Sequence, residues 1–226
     1  MPVVGVIILA AGASSRMGQP KQTLSYQGKP LLARIIETAL ETDCGPVVVV
    51  TGANTNLIAP IAAAYPVQTA FNSAWAEGMN TSIRVGLNAV QDFAENLDAV
   101  LIATCDQPFV SAALFRRLVQ VYAETGKPIV TSEYAGTRGV PALFDRTLFA
   151  ELQNLPAGAG AGRLIARQSS EQIAAVPFPE GAIDMDTPED FARLSSFPVR
   201  CFAFYRALAF TPERAVRADL LFPDRN

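Results

Sequence analysis

The chain contains no histidine among its 226 residues. That absence removes His-based catalytic triads, imidazole metal ligands and imidazole proton shuttles. Any chemistry must therefore rest on carboxylates, Lys, Arg, hydroxyls, thiols and bound ions. Charge is also scarce: 17% of residues are charged and the formal net charge is −3. A nucleic-acid surface needs a clustered basic excess, which this composition does not supply. An anion site would have to be local. Cysteine is sparse and odd in number, with Cys44, Cys105 and Cys201 far apart. This suits reduced thiols in a cytoplasm and offers no metal-ligand spacing. The longest apolar run, Val3 to Ala13, falls short of the ~20 residues a membrane-spanning helix needs. No basic segment with a cleavage site opens the chain. The expectation is a cytoplasmic protein with neither a nucleic-acid nor a membrane partner.

What is present is apolar and alternating. Half the residues are hydrophobic, so the chain is globular. Val3–Leu9, Val47–Thr51, Val67–Ala70, Ala99–Ala103, Ile129–Ser132 and Ile173–Val176 read as strands. Helical stripes separate them over Leu31–Thr42, Asn54–Ala64, Thr81–Val90, Ser111–Glu124, Arg146–Gln153 and Pro188–Leu194, with a further short helix over Leu164–Arg167. Fully apolar strands alternating with helices predict an α/β fold, a three-layer sandwich with a mostly parallel sheet. Ligands bind such sheets beyond the carboxyl ends of the strands. The expected division is one domain over 1–196 and a C-terminal extension over 197–226. Ala157–Gly162 reads as a mobile small-residue loop.

Directly after the first strand comes Leu9-Ala10-Ala11-Gly12-Ala13-Ser14-Ser15-Arg16-Met17-Gly18-Gln19-Pro20-Lys21. Small residues let the backbone approach phosphates. Arg16 can fork two phosphate oxygens, and Lys21 can act as a mobile point charge. The stretch is neither a Walker A loop, because Gln19 follows Gly18, nor a Rossmann fingerprint, because Ser14 stands where glycine is required. A plain strand-to-helix turn with exposed basic residues is the bland alternative.

Two acidic segments accompany it. The strand ending at Ala103 runs through Thr104 and Cys105 to Asp106-Gln107-Pro108. Asp106 at a strand's carboxyl end suits Mg²⁺ or Mn²⁺, hard cations that favour carboxylate and phosphate oxygens. An Asx turn or helix cap is the structural alternative. Asp184-Met185-Asp186-Thr187-Pro188-Glu189-Asp190 places Asp184 and Asp186 before a helix, alternating on an extended segment where both can face one side. Thr187 is the expected N-cap, and Glu189 and Asp190 suit a helix N-terminus. Between these segments, Gly78-Met79-Asn80-Thr81-Ser82 opens a helix with donors able to read a base edge or a ribose; a capped helix with Trp75 as a surface or core anchor is the bland alternative.

The ordered set is specific. It runs Leu-Ala-Ala-Gly-x-Ser-x-Arg-Met-Gly-x-Pro-Lys, Asn-x-x-Trp-x-x-Gly-Met-x-x-Ser, Asp-Gln-Pro, Gly-x-Pro-Ala-Leu-Phe and Asp-x-Asp-Thr-Pro-Glu-Asp. It resembles the MobA-like NTP transferase family, and within it the molybdenum cofactor cytidylyltransferase branch, over about residues 4–195. The resemblance implies a Rossmann-like nucleotide-binding fold and transfer of CMP from CTP to the phosphate of molybdopterin, with pyrophosphate released. It implies nucleotide contacts from Leu9, Ala10, Ala11, Gly12, Ala13, Ser14, Arg16, Lys21, Gly78, Met79 and Ser82. It implies catalytic roles for Lys21, Arg16 and Asp106, and a divalent metal on Asp106 with Asp184 or Asp186. A molybdoenzyme or its chaperone is an expected partner. Where that branch usually carries Gly-Asp-x-Gly-Ala-Arg, this chain has Gly158-Ala159-Gly160-Ala161-Gly162-Arg163 without the acidic residue. Arg163 is the expected acceptor contact. Other readings are guanylyl transfer to the same cofactor, transfer to a sugar phosphate or methylerythritol phosphate, a non-catalytic nucleotide-binding module, and an oxidoreductase on the same scaffold.

Overall fold

The computed structural model describes residues 1–185 and 187–196. Asp186 and the extension from 197 lie outside the described residues. The chain begins with β1 (Val4–Leu9), a small hairpin of β2 (Ser25–Tyr26) and β3 (Lys29–Pro30), then α1 (Leu31–Leu40), β4 (Val47–Thr51), α2 (Thr55–Ala62) and β5 (Gln68–Phe71). It continues with α3 (Met79–Phe93), β6 (Ala99–Thr104), α4 (Ala112–Thr125), β7 (Ile129–Tyr134) and β8 (Thr137–Asp145). The last elements are α5 (Phe149–Gln153), α6 (Ala161–Ile165), β9 (Ile173–Pro177) and α7 (Pro188–Ser196).

The main sheet has the strand order β5-β4-β1-β6-β8-β7-β9. β1 is parallel to β4 and to β6, and β4 to β5. β8 runs antiparallel to both of its neighbours, and β7 and β9 pair in parallel. The fold is the expected α/β sandwich. Alternation along each buried strand sends side chains to two cores. Val4, Val6, Ile8 and Ala10 face one, which includes Leu32, Ile36, Ile58 and Phe115 from α1, α2 and α4. Ile7, Leu9 and Ala11 face the other, which includes Ile83, Leu87 and Leu152 from α3 and α5 and Leu164 from α6. Burying one such aliphatic side chain contributes about 1.5–3 kcal/mol, so strands buried on both faces are held from both sides.

Besides the small β2–β3 hairpin, the strand absent from the sequence expectation is β8, in the main sheet. Pro141 inside an apolar run argues against a central strand. β7 shifts register against β8, from Thr131↔Ala142 to Ser132↔Gly139, and so leaves Val140 and Pro141 without partners on β7. The Ser132 hydroxyl donates to the Pro141 carbonyl (2.7 Å) at that irregularity. The short helix expected over Leu164–Arg167 instead starts earlier, at Ala161. Ala161 is buried in the α3-side core, and that packing extends the helix into the glycine tract.

The order in which strands join the sheet creates the crevice. The chain builds outward from β1 through β4 to β5, then returns to place β6 on the opposite side of β1. The carboxyl ends of β1 and β6 flank the point where the direction reverses. Such a switch point leaves room for a ligand. Leu9 lies opposite Thr104, so the loop after β1 and the Cys105–Asp106 segment leave the sheet side by side.

Candidate active site

A cleft of about 260 Å³ opens at this point, lined by Ala11, Gly12, Ser14, Lys21 and Asp106 from the segments that follow β1 and β6, and by Trp75, Met79 and Ser82 from the start of α3 and the turn before it. The loop after β1 is held from within. The Ala10 N–H donates to the Val50 carbonyl (2.9 Å), and the Ala53 N–H donates to the Ala11 carbonyl (3.0 Å). Gln22, only 3% exposed, donates through Nε2 to the carbonyls of Ala10 (2.9 Å) and Gly12 (3.1 Å). The Ser14 carbonyl accepts from Met17 N–H (2.9 Å). The carbonyls of residues 10, 11, 12 and 14 are thus engaged inside the protein. The N–H groups of Gly12, Ala13 and Ser14 donate to no acceptor among the described residues. Ser14 adopts a left-handed conformation, φ 54°. Consecutive unpaired N–H groups at such a turn form an anion-binding concavity.

The cationic half of the site comes from the next short turn. The Lys21 N–H donates to Ser14 Oγ (3.1 Å). Lys21 Nζ lies 3.5 Å from Asp106 Oδ2, with 15% and 29% of the two side chains exposed. Asp106 is therefore a cleft carboxylate and not the cap of α4. Ser111 caps that helix, its Oγ accepting from Leu114 N–H (3.3 Å). Cys105 also lines the cleft. Burial, then the Asp106 charge, push its thiol up to about 12. It stays protonated near neutral pH and is a poor nucleophile.

Three distant segments meet beneath the cations. Met17, Leu24, Tyr26, Leu31 and Met185 form a separate apolar cluster. The Met185 N–H donates to the Asp106 carbonyl (3.0 Å). Burying Met185 fixes the segment that carries Asp184, which is exposed. Burial foremost, then the charges of Asp184 and Asp106 among other causes, raise the Tyr134 hydroxyl pKa, so both carboxylates act on one phenol. Such oxygen donors fit a divalent cation that keeps water and phosphate in its remaining positions. Among the described residues, no group of three or more His, Cys, Asp or Glu gathers as a metal cage. Asp190 is a capping residue: its Oδ2 accepts from Thr187 N–H (3.0 Å), and Thr187 Oγ1 accepts from Asp190 N–H (3.2 Å).

On the opposite wall, Gly78 has φ +127° and a Cβ there would lie 2.6 Å from Gly158 Cα. Only glycine permits that approach. The Gly158 N–H donates to Asn80 Oδ1 (3.1 Å). The glycine tract is therefore docked on the start of α3. Trp75 packs against the α3-side core and also faces the cleft. Buried Asn72 donates to Thr81 Oγ1 (2.8 Å) and Ser82 Oγ (2.9 Å). Thr81 in turn donates to main-chain carbonyls of Ala74 (3.0 Å) and Gly78 (2.8 Å). Ser82 is the hydroxyl that lines the cleft.

The structure brings together Leu9, Ala11, Gly12, Ser14, Lys21, Gly78, Met79, Ser82 and Asp106 as cleft-lining residues. It does not place Ala10 there, because its side chain is in the core and its N–H and C=O are both used internally. Ala13 and Arg16 are exposed on the loop beyond the lining, and Arg163 is exposed on α6. Asn72 opens the Asn-x-x-Trp motif, but its part in holding Thr81 and Ser82 is visible only in the fold. Gln22 carries no sequence signal: it is a buried amide beside a recognised motif, and burial is what sequence lacks.

The chain belongs to the MobA-like NTP transferase domain family, which matches residues 6–173. It is 30% identical over 204 residues to nicotine blue oxidoreductase of Paenarthrobacter nicotinovorans, covering 86% of this chain and 97% of that protein. It is 26% identical over 192 residues to molybdenum cofactor cytidylyltransferase of Escherichia coli K12, covering 84% and 95%. The structure resembles that of Rv0371c from Mycobacterium tuberculosis H37Rv, with a TM-score of 0.74, 26% identity and coverage of 87% and 99%. A complex of that protein with manganese superposes with a TM-score of 0.70, 24% identity and coverage of 88% and 100%. Among the described residues, no helix is long and apolar enough to cross a membrane.

Proposed function

We propose that the protein transfers CMP from CTP to the terminal phosphate of molybdopterin, releasing pyrophosphate. The carrying observation is the placement of Lys21, Asp106 and the unpaired N–H groups of Gly12 to Ser14 at one cleft wall. The N–H groups hold the triphosphate. Arg16, on the exposed side of the loop, reaches the β and γ phosphates. Lys21 neutralises charge on the α-phosphate as the acceptor oxygen attacks and the bond to pyrophosphate breaks. The attacking phosphate oxygen is already anionic, so no strong general base is needed, in keeping with a chain without histidine.

Asp106, with Asp184 or Asp186, would hold Mg²⁺ or Mn²⁺. When bound, that cation screens phosphate charge and stabilises the leaving pyrophosphate. Ser82 supports pyrimidine recognition: its Oγ accepts from Asn72, which leaves its proton for a base edge. Arg163 is assigned to the acceptor phosphate. Arg163→Ala is expected to raise KM for the acceptor and leave KM for CTP unchanged.

The second reading is a reductase, supported by the 30% identity to nicotine blue oxidoreductase. A shared fold does not fix chemistry. Pyrophosphate release from each of the four NTPs, with and without molybdopterin, separates the two. Release with CTP and molybdopterin supports the proposal. A change in NAD(P)H absorbance with an organic acceptor, and no pyrophosphate, supports the reductase.

A further inference from the structure

We propose that Gln22 is the positioning residue of the phosphate loop, holding its carbonyls inward so that its N–H groups remain for the anion. The inference rests on the nucleotidyl-transfer reading and names a residue that this reading does not require. Gln22 follows Lys21 and also borders the cleft, but it is almost wholly buried and its amide is engaged by the loop backbone. Its Nε2 donates to two carbonyls, Ala10 (2.9 Å) and Gly12 (3.1 Å). Its Oε1 accepts from Ser14 Oγ at the long distance of 3.5 Å. The same Ser14 Oγ accepts from the Lys21 N–H (3.1 Å). One side-chain amide therefore bridges the start, middle and end of the loop, and through Ser14 it ties the loop to the lysine.

The electrostatic consequence is direct. A carbonyl oxygen facing a phosphate repels it, whereas an N–H attracts it. Within residues 10–14 the peptide planes can rotate to show either group. Two hydrogen bonds from one buried amide select the orientation in which Ala10 and Gly12 turn their oxygens away from the cleft. The protein's own packing does not impose this at Gly12, where a Cβ would meet nothing within 4 Å. A buried, fully engaged amide is costly to replace by an apolar group, because both carbonyls then lose their donor. That cost falls on loop orientation and not on a substrate contact, since Gln22 uses its polar atoms within the protein.

Two measurements test this on the full chain. The first is Gln22→Leu, which keeps similar volume and removes both donors. Binding of inorganic pyrophosphate and of CTP, each with Mg²⁺, is measured by calorimetry, and cytidine binding by NMR titration. The expected result is at least tenfold weaker binding of pyrophosphate and CTP with cytidine affinity unchanged. A variant that melts lower but binds pyrophosphate like the wild type has lost only a packing residue, and the proposal fails. The second uses wild-type protein. Pyrophosphate should shift the amide resonances of Gly12, Ala13 and Ser14 and leave the Gln22 side-chain NH₂ pair unmoved and protected from exchange. A large shift or rapid exchange of that NH₂ pair would mean that it contacts ligand or solvent, and the proposal fails even if Gln22→Leu does not fold. Wild-type protein that binds neither pyrophosphate nor CTP overturns the nucleotidyl-transfer reading itself, a separate outcome.

Discussion

Lys21 Nζ and Asp106 Oδ2 stand 3.5 Å apart at one wall of the cleft, one from the turn after the phosphate loop and the other from the segment that follows β6. Their pairing follows from the Leu9↔Thr104 register, which sets the two connections side by side. In the proposed reaction each ion has another task, Lys21 on phosphate and Asp106 on a divalent cation. The pair then separates when substrate and metal arrive.

Lys21→Ala should therefore have two opposite effects. Turnover should fall on the order of 10²-fold or more, as for other preorganised charge contacts to a transition state. KM for CTP should change much less, because the contact strengthens as the α-phosphate becomes five-coordinate. Without nucleotide, Mn²⁺ should bind the variant more tightly than wild type, since the competing ammonium is gone. Steady-state kinetics and Mn²⁺ titration by electron paramagnetic resonance read the two effects. Near-normal turnover would remove the catalytic role of Lys21. Asp106→Asn should abolish metal-dependent turnover with the fold intact.

The base preference is expected to be CTP over GTP in kcat/KM. Trp75, Met79 and Ser82 limit the cleft on its far side. In the proposed reaction a purine would meet that wall, and a mismatched edge would leave the Ser82 donor unpaired. Ser82→Ala should narrow the preference, chiefly through KM for CTP. Equal kcat/KM for the two nucleotides in wild type would reassign the protein to guanylyl transfer or to an indifferent nucleotide pocket.

Gly52 is the tightest backbone approach behind the loop. A Cβ there would lie 2.7 Å from the Ala11 carbonyl oxygen and 2.8 Å from Trp75 Cβ. Gly52→Ala must push the phosphate loop and the Trp75 segment apart. Overpacking of this kind costs about 1–3 kcal/mol. The variant should melt at lower temperature and show a raised KM for CTP. An unchanged KM with lowered stability would show that the loop relaxes without disturbing the anion site.

A pH dependence of stability is expected far from the cleft, where the Tyr122 hydroxyl donates to Asp145 Oδ2. Burial pushes the Asp145 carboxyl up, but hydrogen bonds from Thr147 and Tyr122 outweigh it and leave the group below its usual range. Its stabilisation is complete above about pH 4, the ordinary Asp value, and is lost as pH falls through the folded value. Tyr122 is shifted the other way, up, by burial and then by its bond to Asp145. Its contribution is complete below about pH 10 and is lost as pH rises through the folded value. Tyr122→Phe should lower Tm by about 2–4 °C at pH 7, corresponding to one hydrogen bond of about 1 kcal/mol in a domain of this size. Melting curves of the two proteins should converge as pH drops below the carboxylate range. A difference that persists unchanged at low pH would assign the effect to ring packing.

By itself the sequence determined the layers and the sheet edge at which the cleft opens. Runs such as Val4–Leu9, Val47–Thr51 and Ala99–Thr104 are apolar on both faces, which only a sheet covered on both sides can bury. Small residues after the first strand and a carboxylate after β6 mark the sheet edge where ligands bind. Thr187 and Asp190 were legible as helix-start residues because capping is local chemistry. Tertiary structure alone decided three things. It made Thr137–Asp145 a central strand despite Pro141, because a register shift in β7 leaves the proline unpaired there. It joined the first loop to the Asp184 segment through Met17 and Met185, whose partnership has no trace in spacing. It gave Gln22 its position under the phosphate loop, and so decided which atoms of Gly12 to Ser14 are left for an anion. Periodicity and local spacing are fixed along the chain. Contacts between residues far apart in sequence depend on strand register and burial, which exist only once the chain has folded.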